Sequence, residues 1–66
     1  MQVSVNGVPT DVAESATVAT LITERRTPHR RVAVAVNGAV VPRSTWDTTA
    51  LNPGDAVEVL APTAGG

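Results

Sequence analysis

Cysteine, lysine, tyrosine and phenylalanine are absent from this chain of 66 residues, and histidine and tryptophan occur once each. Each absence removes a class of chemistry. Without cysteine there is no disulfide and no thiolate metal site. A single histidine, His29, cannot build a metal-binding cluster. Most nucleophiles and general bases are missing, which leaves serine, threonine, six carboxylates and one imidazole. A chain this short also has little room to enclose a water-free pocket. Catalysis by the chain itself, a metal site and a resident cofactor are therefore not expected.

Excess charge is lacking too. The formal net charge is −1, and aromatic content is 2%, all of it Trp46. Nucleic-acid binding calls for a basic surface with stacking aromatics. "RRTPHRR" gathers four of the five arginines and His29 between Arg25 and Arg31, yet it reads as a solvated helix end and loop. No apolar run approaches membrane length, and the first residues lack the basic and apolar regions of a signal peptide. No nucleic acid, no membrane and a cytoplasmic location are the expectations.

What is present folds. Hydrophobic residues make up 42% and charged residues 17%, ordinary for a globular chain. The length allows one domain, near the lower limit for a core that holds without staples. "MQVSVNG" alternates, with Met1, Val3 and Val5 on one face, and Asn6-Gly7 is a type I′ hairpin signal. Val8 to Val12 returns as a strand that Pro9 places at an edge. Val18, Leu21 and Ile22 then stand at helical spacing, with Thr17 or Ser15 as cap, Arg25 and Arg26 in the last turn and Pro28 as terminator.

Period two resumes at Val32, Val34 and Val36, with Ala33 and Ala35 opposite. Asn37-Gly38 is a second turn, leading into a short strand at Val40 and Val41. "PRSTWDTTALNPGD" reads as loop, ending in an Asn52-Pro53-Gly54-Asp55 turn that Asp55 stabilises locally. The last strand sets Val57, Val59 and Ala61 on one face and Leu60 on the other, with Leu60 as the last packed residue. The order β-β-α-β-(β)-β predicts an α+β domain, one helix against one small sheet. Periodicity alone leaves the pairing of the first and last strands open.

The chain closes "LAPTAGG". Pro62 removes an N–H and discourages further pairing. Gly65 and Gly66 have no Cβ, so their backbone can thread a narrow channel. Element order, the "VNGAVVPRSTW" segment leading to "LNPGDAVEVL", and the terminal diglycine together resemble the ThiS family, the sulfur carriers of thiamine biosynthesis. The resemblance covers essentially the whole chain; "GD" and the diglycine are shared with molybdopterin-synthase small subunits. It implies the ubiquitin-like β-grasp fold over 1–62: a mixed four- to five-stranded sheet, first and last strands parallel and central, one helix across one face. The second, polar face is left for partners, and 63–66 is a flexible tail.

The resemblance also implies a role for each tail residue. The carboxylate of Gly66 is adenylated and then thiocarboxylated, while Gly65 and Ala64 thread the tail into the partner. Implied partners are an adenylating, E1-like enzyme that uses ATP and Mg, a cysteine-derived sulfur donor and thiazole synthase. The carrier itself is expected to be a monomer and a protein substrate. Arg43 and Trp46 are candidate partner contacts, with buried packing the plainer reading of Trp46. Competing readings are sulfur carriage for molybdopterin or cysteine synthesis, a ubiquitin-like protein modifier, and a plain interaction module.

Overall fold

The computed structural model describes residues 1–25 and 32–60. Five strands, β1 (Gln2–Val5), β2 (Val8–Asp11), β3 (Ala33–Val36), β4 (Ala39–Val41) and β5 (Ala56–Leu60), form one mixed sheet in the order β2-β1-β5-β3-β4. β1 and β5 are parallel neighbours at its centre, and the other pairs are antiparallel. Among the described residues there is one α-helix, α1 (Val18–Glu24), and a 3-10 helix at Arg43–Thr48. The pairing that periodicity left open is thus that of a β-grasp sheet.

Both hairpins turn as their Asn-Gly pairs dictate. Asn6 and Gly7 take φ of 50° and 83°, and Asn37 and Gly38 take 51° and 83°. Left-handed backbone at both central residues is the type I′ turn whose twist matches the strands it joins. β2, carrying Pro9, lies at the sheet edge. Gly54 also has positive φ, as a glycine following proline in a type II turn should.

Register aligns the inward residues in rows. Val5, Val57, Val36 and Ala39 form one row, and Val59, Val34 and Val41 the next. Val18, Leu21 and Ile22 of α1 are buried in the same core cluster. A reciprocal capping box starts the helix. The Thr17 hydroxyl accepts from the Thr20 N–H at 3.3 Å, and the Thr20 hydroxyl accepts from the Thr17 N–H at 2.8 Å. The cap is thus Thr17 and not Ser15.

Three expectations need correction. Helix α1 ends at Glu24, so Arg25 is its C-cap, donating its N–H to the Leu21 carbonyl, and does not lie in the last turn. Arg26 and Pro28 lie outside the described residues. The segment read as loop winds into the 3-10 helix, because its hydroxyls satisfy neighbouring carbonyls: Thr45 Oγ1 donates to Pro42 and Thr49 Oγ1 to Thr45. The same segment then runs beside the start of α1, with Val18 N–H donating to Thr49 and Leu51 N–H to Ala16.

The third correction concerns Leu60, which is 62% exposed and not packed. It points to the sheet face opposite the helix, so the last inward residues of β5 are Val57 and Val59. Ala61, assigned to the same face as these valines, lies outside the described residues.

Candidate functional site

β5 ends at Leu60, the last of the described residues, and the sheet is organised around it. β1 and β4 both run parallel to β5. The Asn6-Gly7 turn and the Pro42-Arg43 exit therefore leave the sheet at the end where β5 finishes. The row Val41, Val34, Val59 fixes the level of that exit.

β5 is gripped by the side chains of both turn asparagines. At its start, the Ala56 N–H donates to Asn37 Oδ1 at 2.9 Å, and the Asn37 backbone N–H donates to the Ala56 carbonyl at 2.7 Å. Asn37 Nδ2 also donates to Asp55 Oδ1 at 3.0 Å. The other oxygen of Asp55 accepts from the Asn52 N–H at 2.8 Å. Asp55, only 9% exposed, thus ties the Pro-Gly turn to the β3–β4 turn, a longer reach than the local role read from sequence.

At its end, the Val59 N–H donates to Asn6 Oδ1 at 2.8 Å, and Asn6 Nδ2 donates to the Val59 carbonyl at 3.2 Å. Sequence reasoning saw only turn formers in these asparagines. The Asn-Gly dipeptides were visible, but nothing in the sequence shows which strand their carboxamides reach.

The sheet face away from the helix is divided. Over β1 and β2 it carries Gln2, Ser4, Pro9 and Asp11; over β3, β4 and β5 it carries Ala33, Ala35, Val40 and Leu60, with Glu58 among them. Val40 is 75% exposed. The polar face expected from the resemblance is therefore polar on one half only, and the other half is largely apolar.

Trp46 is 4% exposed and donates its indole N–H to the Val41 carbonyl at 3.0 Å. It is buried, as the packing reading expects, and the partial exposure of the alternative reading is not seen. Arg43 is exposed, with its guanidinium 5.7 Å from the centre of the Trp46 ring, a cation–π distance. Arg43 remains available at the surface.

A shallow groove between α1 and the 3-10 helix is lined by Ala19, Thr20, Thr23, Glu24 and Asp47. Among the described residues there is no group of three metal-ligating side chains and no helix long and apolar enough to cross a membrane. Ala64, Gly65, Gly66 and His29 lie outside the described residues.

This architecture defines a ubiquitin-like protein: a mixed β-grasp sheet with β1 and β5 parallel at its centre. A ubiquitin-like protein from the archaeon Caldiarchaeum subterraneum shares the fold with a TM-score of 0.61 at 18% identity, over 98% of this chain and 100% of that one. A crystal structure of the thiamine biosynthesis protein ThiS from Geobacter metallireducens superposes with a TM-score of 0.85 at 39% identity, covering 100% of both chains. A solution NMR structure of a thiamine biosynthesis protein from the same organism gives 0.82 at 39% identity, over 100% of this chain and 88% of that one.

A curated relative from Paramagnetospirillum magneticum, named thiazole synthase, is 36% identical over all 66 residues; the chain spans 20% of that relative's length. The ThiS family profile matches residues 3–66. The chain belongs to the ThiS family, which its motifs resemble.

Proposed function

We propose that this chain carries sulfur for thiazole formation as a thiocarboxylate on Gly66, acting as a protein substrate and donor and not as a catalyst. The observation that carries the reading is the family match running through the diglycine to residue 66. It gains support from the position of β5 at the centre of the sheet, held by β3 up to Leu60 and on its other side by β1 and the Asn6 carboxamide up to Val59.

The chemistry follows from the end group. An α-carboxyl, with an ordinary pKa of about 3.5, is a carboxylate at neutral pH. It is a poor acyl donor because oxide does not leave. A partner adenylating enzyme, using ATP and Mg, converts it to an acyl-adenylate. Cysteine-derived sulfur attacks the acyl carbon and displaces AMP; delivered as a persulfide it gives an acyl disulfide, which a thiol reductant cleaves to the thiocarboxylate. Gly65 and Ala64 keep the approach slender, and Arg43 is the exposed cation offered to a partner surface. The absence of cysteine leaves the terminal carbonyl as the carrier atom. The relative named thiazole synthase, one fifth of which aligns with this whole chain, supports thiazole synthase as the acceptor.

Co-expression with an adenylating enzyme and a cysteine desulfurase tests the reading by intact mass. An oxygen-to-sulfur exchange localised to Gly66 is expected. Deleting Gly66 abolishes ATP–pyrophosphate exchange while thermal unfolding stays that of the parent chain. Persistent lack of the exchange with active partners, or a truncated chain that still supports it, overturns the proposal. Adding thiazole synthase, and separately a molybdopterin precursor with its synthase, identifies the acceptor.

A further inference from the structure

β1 leaves the sheet before β5 does. The last backbone contact between them is the Asn6 N–H donating to the Val57 carbonyl at 2.9 Å, after which the chain turns at Gly7. β5 continues to Leu60, paired with β3 on its other side. On the β1 side the N–H and carbonyl of Val59 have no strand left to face. The carboxamide of Asn6 takes both, accepting from the N–H at 2.8 Å and donating to the carbonyl at 3.2 Å. A side chain thus supplies the rung that the backbone of β1 no longer provides. Residues 6 and 59 are 53 positions apart in sequence, so the contact closes the two ends of the fold on each other.

We infer that Asn6 is a positioning residue for the end of β5: its carboxamide, and not the backbone of β1, supplies the last rung that holds β5 on that side of the sheet. The same residue must form the type I′ turn, with φ of 50°. Asparagine meets both demands, since it tolerates left-handed backbone and offers one donor and one acceptor side by side. Glycine meets only the first. Aspartate meets the first and keeps the acceptor, but turns a second acceptor towards the Val59 carbonyl.

This difference separates the two roles. Asn6→Gly keeps the turn and removes the rung, and Asn6→Asp keeps half of it. Amide hydrogen exchange, followed residue by residue, should show Val59 losing protection by about tenfold or more in Asn6→Gly. Asn6→Asp should lie between that variant and the parent, with Val34 and Val36 unchanged in both. Unchanged protection at Val59 in Asn6→Gly overturns the inference.

The consequence for function rests on the reading of Gly66 as the working end. A loosened exit lowers the fraction of chains presenting that end productively, which raises apparent substrate affinity constants without touching the chemical step. The KM of the adenylating enzyme for Asn6→Gly should rise several-fold at constant kcat, well below the unfolding temperature. Raised exchange with an unchanged KM reduces Asn6 to a structural residue and overturns the positioning role. If the parent chain itself is never adenylated, the Gly66 reading fails on its own, and exchange at Val59 alone decides whether Asn6 holds the end of β5.

Discussion

Asp55 shows how much one side chain can hold in a domain of this size. Both of its oxygens accept, one from Asn37 Nδ2 and one from the Asn52 N–H. Its own carbonyl accepts from the Ser4 N–H at 2.9 Å, so the residue also links β5 to β1. An asparagine there has one acceptor and one donor. Whichever way it is turned, a donor meets a donor at 2.8 or 3.0 Å. Hydrogen bonds to a charged acceptor contribute about 1.5–3 kcal/mol each, and an unpaired buried donor costs about 1–3 kcal/mol. Asp55→Asn should therefore destabilise by about 1–3 kcal/mol in urea denaturation despite its near-identical shape. A loss below about 0.5 kcal/mol would mean that water replaces the carboxylate freely.

At the scale of elements, α1 has seven residues, too few to hold a helix alone. It persists because its cap is closed and its apolar face is buried. Removing a Thr N-cap typically costs about 0.5–2 kcal/mol, and Thr17→Ala should fall in that range. Thr20 occupies the third helical position, where glutamate can make the same return bond and complements the helix dipole. Thr20→Glu should then unfold at the same temperature as the parent or higher; a fall as large as that of Thr17→Ala would show that the short Thr20 hydroxyl is required.

The helix, both hairpins and the Pro-Gly turn were legible in the sequence because each rests on local chemistry: spacing, Asn-Gly, Asn-Pro-Gly-Asp. The 3-10 helix was not, because Arg-Ser-Thr-Trp-Asp-Thr has weak helical preference, and its local hydroxyl bonds are joined by a contact that only the fold supplies, the buried Trp46 indole on the Val41 carbonyl. The same limit hid the asparagine grip on β5. Those bonds join residues 19 and 53 positions apart, and only the assembled sheet brings them together. Leu60 misled for a related reason: alternation correctly puts it opposite Val59, but only the sheet order shows that its face has no helix on it.

For the whole molecule, stability is set by a small margin and a lopsided distribution of apolar burial. Domains have about 0.05–0.15 kcal/mol of stability per residue, which gives this chain about 3–10 kcal/mol. Among the described residues Leu21 and Ile22 are the largest fully buried side chains, and both come from the short helix α1. A buried leucine cut to alanine costs about 2–5 kcal/mol, a large share of the total. Leu21→Ala should lower the urea midpoint severely and leave part of the population unfolded at room temperature. Leu60 has the same side chain on the sheet's other face, with nothing on it among the described residues. Leu60→Thr, which keeps a strand-forming residue, should shift stability by no more than about 0.5 kcal/mol. The contrast between two leucines measures the asymmetry of the fold directly: one face of the sheet makes the domain stable, and the other leaves its apolar half open to solvent. Equal losses at the two positions would mean that the outer face is packed, and the division of the sheet drawn from Val40 and Leu60 would fall.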